Sequence, residues 1–305
     1  MPSHPILRVN IFNTSSNLPL FAAIEGGFFE KRGLTVEVQN TPNSDEQRAG
    51  LAAGRFEIAH AAVDNAVAMV EAGHDAVIVC GGDAGMNELM VRPEITGFDD
   101  LRGKCLAVDA PNTAYALVGK KILKLNGLLE GRDYTVKLAG GTGPRSAAMV
   151  ADPELAVGMV NPPFSFMVRE QGLKSLGSQF DLLGPYQATG AFVMRTWVRA
   201  NTSLLVNYLA AYIEGQRCVL DPANRAAMVQ LLMRQFKQTE AVAQSSYETL
   251  VAPGSGLAVD ARFNLQGFAT VLAIRAEMEG LWGGQPPAAG KYLEPTYFEQ
   301  AMGVL

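Results

Sequence analysis

Short apolar runs alternate along the chain with segments of helical spacing. The clearest strand patterns are "ILRVNIF" (6–12), "GLTVEVQ" (33–39), "FEIAHAA" (56–62) and "AVIVCGG" (76–82). Between them stand segments such as "LPLFAAIEGG" and "SDEQRAGLAAG", which repeat apolar residues at helical steps and end in glycine. Strands that alternate with helices of this length predict parallel βαβ units and a doubly wound α/β architecture.

The alternation continues well beyond these first strands. "NELMVR" is a further extended piece, and strand patterns recur in "GKCLAVDAPN", "YTVKLAGG" and "LAVGMVNPP", each followed by a helical pattern. From about Leu204 the character changes to long amphipathic segments such as "LLVNYLAAYIEGQRCVL" and "NRAAMVQLLMRQF". The sequence therefore predicts an α/β region followed by a helical C-terminal region.

Composition narrows the class of protein. The 305 residues are 48% hydrophobic and 18% charged, which is ordinary for a globular protein with a sizeable core. A formal net charge of −5 argues against a nucleic-acid groove, because such a groove needs a basic face. No apolar run approaches the roughly 20 residues that span a bilayer. The start, "MPSHPILRVN", lacks the pattern of a secretory signal, so we expect a cytoplasmic chain or one that begins at a mature or engineered terminus.

The three cysteines point to no special chemistry. Cys80, Cys105 and Cys218 are widely separated and lie in apolar contexts, and no C-x-x-C spacing is present. We expect buried, unreactive thiols, with no metal site and no cofactor. Sequence motifs of catalysis such as G-x-S-x-G, H-E-x-x-H and the Walker loop are also absent, which favours binding over turnover.

Five predicted strands end in short polar or glycine-rich loops that open directly into helices. These junctions follow Phe12, His60, Val108, Ala139 and Val160. In open α/β sheets, ligands bind outside the carboxyl ends of the strands. Helix N-termini at that edge offer unpaired backbone N–H groups to an anionic or polar ligand group. The junctions therefore predict a ligand cleft.

The candidate site residues are mostly short polar side chains at these junctions, with a few larger groups. The predicted ligand-binding residues are Asn13, Ser15, Asn17, His60, Asp64, Asn65, Asp109, Asn112, Thr113, Gly141, Thr142, Arg145, Asn161, Phe164, Tyr186 and Gln187. Arg145 is the candidate clamp for a carboxylate or sulfonate, and Phe12, Phe164 and Tyr186 are candidates for stacking on a planar ligand. Each short polar residue also fits an ordinary helix cap, with Asn161 as cap before Pro162, and each aromatic also fits a core position.

The first junction also carries a family resemblance. "LPLFAAIEGGFFEKRGLTVEV" resembles the N-terminal signature of ABC-transporter substrate-binding proteins of the nitrate/sulfonate/taurine type. The similarity continues through "LAAGRFEIAHAAVDN", "DLRGKCLAVDAPNTAYALVGKKIL" and "LAVGMVNPPFSFMVREQGLKSLG", and it covers most of residues 6–215.

The resemblance implies a type II periplasmic-binding-protein fold, with two doubly wound lobes and a ligand cleft between them. Lobe one would comprise residues 1–91 and 193–305, and lobe two residues 92–192, with hinge crossings near 90–98 and 189–195. The implied protein is a periplasmic monomer that captures a small organic ligand by closure of the lobes and delivers it to a membrane permease. A sulfonate, an aromatic carboxylate or a pyrimidine would suit the candidate residues.

Two alternatives stay open at this point. The same family pattern includes thiamine-pyrimidine synthases, and related decarboxylases share the fold, so a cytoplasmic enzyme is one alternative. The cysteine-rich iron-binding motif of those synthases does not occur in this chain. The other alternative is a ligand sensor that presents its closed form to a signalling protein.

Overall fold

The computed structural model describes residues 4–305 and contains ten strands and fourteen α-helices in that range, with short 3₁₀ turns between them. The strands are β1 Ile6–Ile11, β2 Thr35–Asn40, β3 Ile58–Ala62, β4 Ala76–Gly81, β5 Glu88–Val91, β6 Lys104–Val108, β7 Tyr134–Leu138, β8 Leu155–Val160, β9 Lys174–Ser178 and β10 Thr189–Met194. The helices are α1 Leu18–Glu25, α2 Phe28–Lys31, α3 Ser44–Ala52, α4 Asp64–Glu71, α5 Ala114–Leu125, α6 Thr142–Ala151, α7 Phe164–Glu170, α8 Gln179–Leu183, α9 Arg195–Ala200, α10 Thr202–Leu220, α11 Arg225–Phe236, α12 Glu240–Leu250, α13 Leu265–Glu279 and α14 Thr296–Gly303.

The strands form two five-stranded sheets, which confirms the predicted two-lobed α/β fold. The first sheet has the order β2-β1-β3-β10-β4, and the second has the order β7-β6-β8-β5-β9. We call the first sheet with the helices packed on it lobe one, and the second sheet with α5 to α8 lobe two. In each lobe, three consecutive βα units supply parallel strands, as the alternating pattern predicted.

One strand in each sheet, β5 or β10, runs antiparallel to both of its neighbours, which the prediction of parallel units did not include. Each of these two strands is the first after the chain changes lobe. Glu88 pairs with Val160 at the carboxyl end of β8, and Thr189 pairs with Ala62 at the carboxyl end of β3. The chain therefore enters each sheet from the edge that faces the other lobe, and it must run against the strands already there.

The chain passes between the sheets at two neighbouring places, residues 82–87 and residues 179–188. Both passages precede the crossings expected near 90–98 and 189–195, because "ELMV" and "TGAFVM" pair as strands β5 and β10. The lobe boundaries therefore stay a proposal. The strand pairing favours boundaries within residues 82–87 and 179–188. The passages also contact each other, since Ala188 N donates to Asp83 O over 3.0 Å and the Thr189 hydroxyl donates to the buried Asp83 carboxylate.

Three apolar clusters hold the layers together. One lies between the first sheet and α1, α10, α11 and α12. A second joins the other face of that sheet, with α4 and α13, to one face of the second sheet and α5. The third covers the remaining face of the second sheet around Met149 and Val168. The predicted helical C-terminal region is thus part of lobe one, and α13 lies where the two lobes meet.

Local sequence signals placed most helices, but their capping differs from the expectation in three cases. Helix α7 begins at Phe164 rather than at Pro162, so Asn161 does not cap it. Asn17 makes no capping bond and instead donates from Nδ2 to Phe12 O over 2.7 Å. Asp64 stands at the start of α4 without a side-chain capping bond. These three polar side chains are therefore left for other contacts.

Two further predictions concern the cysteines and the possibility of a membrane-spanning helix. Cys80 and Cys105 are buried as expected, whereas Cys218 is partly exposed, and all three are unpaired. Among residues 4–305, no helix has the length and apolar character needed to cross a membrane.

Candidate functional site

A cavity lies between the lobes where the carboxyl ends of both sheets face each other. The space between the lining atoms is about 660 Å³ when open solvent is included, and the part that the centre of a water-sized sphere can occupy is about 50 Å³. The loops after β1, β3, β6, β7 and β8 all contribute to its lining. These are the five junctions that the sequence identified, so the predicted convergence of the strand ends is present in the structure.

Nine of the sixteen candidate residues line this cavity. They are Asn17, His60, Asn65, Asp109, Thr113, Gly141, Thr142, Arg145 and Asn161. Three come from lobe one and six from lobe two, so neither lobe encloses the space alone. Whether each contacts a ligand stays a prediction.

Three other candidates from the junction loops lie outside the lining. The side chains of Asn13 and Asn112 are exposed. Ser15 is fully buried, and its hydroxyl accepts a hydrogen bond from Gln238 Nε2 over 3.0 Å. These residues sit in the predicted loops, but the loop backbone directs them to the surface or into lobe one.

Three of the larger candidates pack elsewhere. Tyr186 is a buried member of the second apolar cluster, and Phe164 packs against the third. Gln187 is buried behind the site, where its Oε1 accepts from Asn264 N over 2.7 Å. The core alternative considered for the aromatics therefore describes Phe164 and Tyr186, whereas Phe12 does line the cavity.

Several lining residues were not among the sixteen candidates. They are Phe12, Thr14, Ser16, Ser44, Ala61, Ala62, Ala114, Tyr115, Thr189 and Tyr212. Ser44 opens α3 directly after β2, so it belongs to a sixth junction of the same kind that the pattern could have revealed. Tyr115 lies in the first turn of α5. Tyr212 stands within the long helix α10, and no local signal distinguishes it from a core tyrosine.

Arg145 is a fully buried cation in the cavity wall. Its Nε and Nη2 atoms donate to Met159 O over 3.2 and 2.9 Å, respectively. Nη2 also donates to Thr142 Oγ1 over 3.3 Å, and Nη1 donates to Gly140 O over 2.8 Å. No carboxylate of residues 4–305 forms an ion pair with it, and burial lowers its pKa, with the field of Asp109 acting in the opposite direction. The side chain is held rigidly by backbone carbonyls, and its positive charge lacks an ion-pair partner in the described part of the chain.

Amide side chains from both lobes provide further polar groups. Asn65 of lobe one and Asn161 of lobe two are 3% and 5% exposed and line the cavity. The Oδ1 atom of each is buried without a hydrogen-bond partner in the described residues. A buried polar atom without a hydrogen-bond partner is unfavourable. A bound molecule or water that donates a hydrogen bond to these amide oxygens would therefore stabilise this arrangement of the two lobes.

The lobe-one wall of the cavity contains a group of aromatic rings around His60. His60 Nε2 lies 2.8 Å from the Tyr208 hydroxyl, and its ring centroid lies 4.7 Å from that of Tyr212. Burial lowers the pKa of His60 to about 3, because the charged imidazolium would be desolvated there without a carboxylate partner. His60 is therefore a neutral hydrogen-bonding group at physiological pH.

This protonation state predicts a pH effect on stability. The folded state resists protonation of His60, whereas the unfolded chain accepts a proton on this residue near pH 6.5. The contribution of neutral His60 to the free energy of unfolding is therefore complete above pH 6.5 and is lost as the pH falls toward 3. We expect the free energy of unfolding of His60→Gln to fall less steeply than that of the wild type between pH 6.5 and 4. Urea unfolding across this range measures both slopes, and identical slopes would contradict the assignment.

Direct contacts join the two lobes around the cavity. Ser44 of lobe one donates from its backbone N and its Oγ to Asp109 Oδ2 of lobe two, over 3.2 and 2.7 Å. Ser15 N of lobe one donates to Pro162 O of lobe two over 3.1 Å. The structure therefore represents a closed arrangement of the lobes.

A buried ion cluster lies behind the lining, on α13. Arg275 Nε lies 3.2 Å from Asp64 Oδ1 and 2.9 Å from Glu279 Oε2, and Nη2 donates to Asn112 O of lobe two over 3.0 Å. Asp64 is thus bound by Arg275 rather than facing the cavity. Burial raises the pKa of Asp64 to about 6 even though Arg275 lowers it.

No metal centre is indicated. Residues 4–305 contain no group of three or more histidine, cysteine or acidic side chains close enough to hold a metal ion.

Comparison with known proteins agrees with the fold. Residues 2–113 match the model of the NMT1-like family. No curated protein matches the chain. Among solved structures, the ligand-binding component of an ABC-type import system from Staphylococcus aureus is 14% identical, with a TM-score of 0.82, and the match covers 97% of this chain and 98% of that one.

Two further structures are similar over nearly the whole length. The periplasmic nitrate-binding protein NrtA from Synechocystis PCC 6803 is 16% identical with a TM-score of 0.80, over 98% of this chain and 89% of that chain. The periplasmic aliphatic sulphonate-binding protein SsuA from Escherichia coli is 17% identical with a TM-score of 0.73, over 97% and 94%. The predicted resemblance to nitrate- and sulfonate-binding proteins is confirmed: residues 2–113 match the NMT1-like family, and residues 4–305 have the two-lobed fold of periplasmic binding proteins.

Proposed function

We propose that this protein is the solute-binding component of an ABC uptake system and captures a small organic molecule by closure of its two lobes. The observation that carries the proposal is the cavity itself, which both lobes line with polar groups at the carboxyl ends of their strands. The structural neighbours support it, because one is described as a ligand-binding component of an ABC-type import system and two as periplasmic nitrate- and sulphonate-binding proteins. Hinge closure around a ligand is a recurrent mechanism for two-lobed proteins of this shape.

The lining favours a ligand with one acidic group and a planar or polar body. Arg145 supplies a buried positive charge without an ion-pair partner among the described residues. The amides of Asn65 and Asn161 supply hydrogen bonds from opposite sides, and Phe12 and Tyr115 supply aromatic surface. A sulfonate, an aromatic carboxylate or an acidic pyrimidine has these features.

Binding without turnover fits the ionisable groups of the cavity. General acid–base catalysis works best with a group whose pKa lies near the working pH. Burial lowers the pKa of His60 to about 3 and raises that of Tyr115 to about 12. Both groups are therefore held in one protonation state at neutral pH, which suits recognition better than proton transfer.

The proposed partners follow from the proposed role. A membrane permease would receive the ligand from the closed form, and a protein that serves a bacterial permease in this way would act as a monomer in the periplasm. For the permease to distinguish occupied from empty protein, the ligand must bind the closed form more tightly than the open form.

A ligand screen tests the proposal. Nitrate, taurine, ethanesulfonate, benzoate and orotate are added separately to the protein, with sodium chloride at equal ionic strength as the control. A ligand present at about 100 times its dissociation constant adds roughly 2.7 kcal/mol to the free energy of unfolding, so a true ligand raises the melting temperature clearly. Mass spectrometry of small molecules released from the purified protein extends the screen to compounds outside the panel.

The same samples separate binding from catalysis. A ligand recovered chemically unchanged after prolonged incubation supports a binding protein, whereas formation of a product supports the enzyme alternative. A chain that is stabilised by none of the panel and releases no small molecule would contradict the proposed function.

A further inference from the structure

The contact between Ser44 and Asp109 has the geometry of a helix cap formed across the cleft. Helix α3 begins at Ser44, and its own cap, Asn43, accepts from Glu46 N over 2.8 Å. The backbone N–H of Ser44 is among the first-turn donors that have no partner inside a helix. Asp109 of the other lobe satisfies that donor and also accepts from the Ser44 hydroxyl.

The energetics of this contact favour the closed arrangement. A carboxylate at a helix N-terminus interacts favourably with the helix dipole and with the free N–H groups. Hydrogen bonds to an ionised acceptor are stronger than neutral ones. Ser44 is 5% exposed and Asp109 is partly buried, so water weakens the contact less than it would at an open surface.

A second observation places the loop before α3 in close contact with another loop of lobe two. A Cβ atom added to Gly141 of lobe two would lie 2.8 Å from Pro42 O of lobe one. Pro42 lies two residues before the start of α3 at Ser44, and Gly141 directly precedes α6. The loop before α3 therefore meets lobe two twice, once through backbone packing against a glycine and once through the Asp109 carboxylate.

We propose that Asp109 is a positioning residue that caps α3 across the cleft and holds part of the protein closed before any ligand is bound. One consequence of this inference rests on the proposed function: ligand affinity depends on Asp109, because Asp109 sets the population of the closed form. Affinity falls in proportion to the fraction of protein in the competent state.

The test measures lobe separation in the ligand-free protein. Spin labels are attached at Glu37→Cys on β2 and Leu138→Cys on β7, exposed positions on the edge strands of the two sheets, with Cys218→Ser removing the partly exposed native thiol. Pulsed electron paramagnetic resonance then resolves short distances for closed molecules and long distances for open ones. The protein is first unfolded, dialysed and refolded to remove bound small molecules.

We expect a short-distance population in the wild type that Asp109→Ala reduces about tenfold relative to the open form, as loss of a charge-assisted hydrogen bond predicts. Asp109→Asn retains an acceptor and should reduce it less. Ser44→Ala removes one of the two donors without changing the charge of the cavity, and it should also reduce closure. The matched control is Asn43→Ala, which removes the cap within lobe one but no contact between lobes, and it should leave the distances unchanged.

Three outcomes would overturn the inference. A wild-type protein with only long distances would show that the contact does not hold the lobes together without ligand. Equal closure in Asp109→Ala and wild type would show the same. An equal loss of closure in Asn43→Ala would mean that general weakening of α3, rather than the cap from lobe two, is responsible. None of these outcomes bears on whether the panel compounds bind, so the ligand screen judges the proposed function separately.

Discussion

The Arg275→Ala variant is expected to unfold with a free energy about 3–5 kcal/mol lower than that of the wild type, because removing one partner of a buried ion pair leaves uncompensated charge behind. Arg275 is 2% exposed and lies between Asp64, also 2% exposed, and Glu279. Burial already raises the pKa of Asp64 to about 6 with the guanidinium beside it. Without Arg275, the Asn112 carbonyl of lobe two also loses its donor. Urea unfolding at pH 8 measures the change.

A matched surface pair provides the control for this prediction. Arg217 pairs with Asp260 over 2.7 Å, but its side chain is 45% exposed. Arg217→Ala should change the free energy of unfolding by no more than about 1 kcal/mol, as is typical of exposed pairs. The penalty of Arg275→Ala should also shrink at pH 5, because protonation relieves the unpaired Asp64 carboxylate. A loss below 1 kcal/mol at pH 8 would contradict the role assigned to the cluster.

The strands show which parts of the fold local sequence patterns predict. Runs such as "ILRVNIF" and "AVIVCGG" are apolar enough to identify themselves as buried strands, and the turns after them carry the residues that open helices. The segments "KSLGS" and "TGAFVM" do not identify themselves in this way, yet they form β9 and β10. Strand β9 lies at the edge of its sheet, and β10 is recognised as a strand by its pairing with β3 and β4. Their pairing depends on segments more than 80 residues away, which no local pattern contains.

The site was predictable to the extent that it follows from strand ends. Short polar residues at five junctions converge because carboxyl ends of parallel strands meet at one edge. The direction of each side chain was not predictable. Asp64 and Asn65 are adjacent, but Asn65 lines the cavity while Asp64 turns toward Arg275, which lies more than 200 residues further along the chain. Tyr212 reaches the cavity from a helix whose pattern indicates only core packing.

Replacing Arg145 with methionine is expected to produce the largest loss of ligand binding. Truncating one partner of a buried charge pair costs about 2–5 kcal/mol, which corresponds to a roughly 30- to 4,000-fold rise in the dissociation constant of an acidic ligand. Arg145 lines the cavity and is 1% exposed, and one N–H of Nη1 has no acceptor among the described residues. Isothermal titration calorimetry with the compound that gives the largest thermal shift measures the change.

Two variants separate charge recognition from damage to the fold. Arg145→Met also leaves Gly140 O and Met159 O without their donor, so unfolding curves must first show that the variant is folded at the temperature of the titration. Arg145→Lys retains the positive charge but not the fixed guanidinium contacts, and it should lose less affinity for an acidic ligand than Arg145→Met. Arg102→Met removes an exposed cation of the same lobe and should bind as the wild type does. If folded Arg145→Met also binds as tightly as the wild type, an acidic group is not what the cavity recognises.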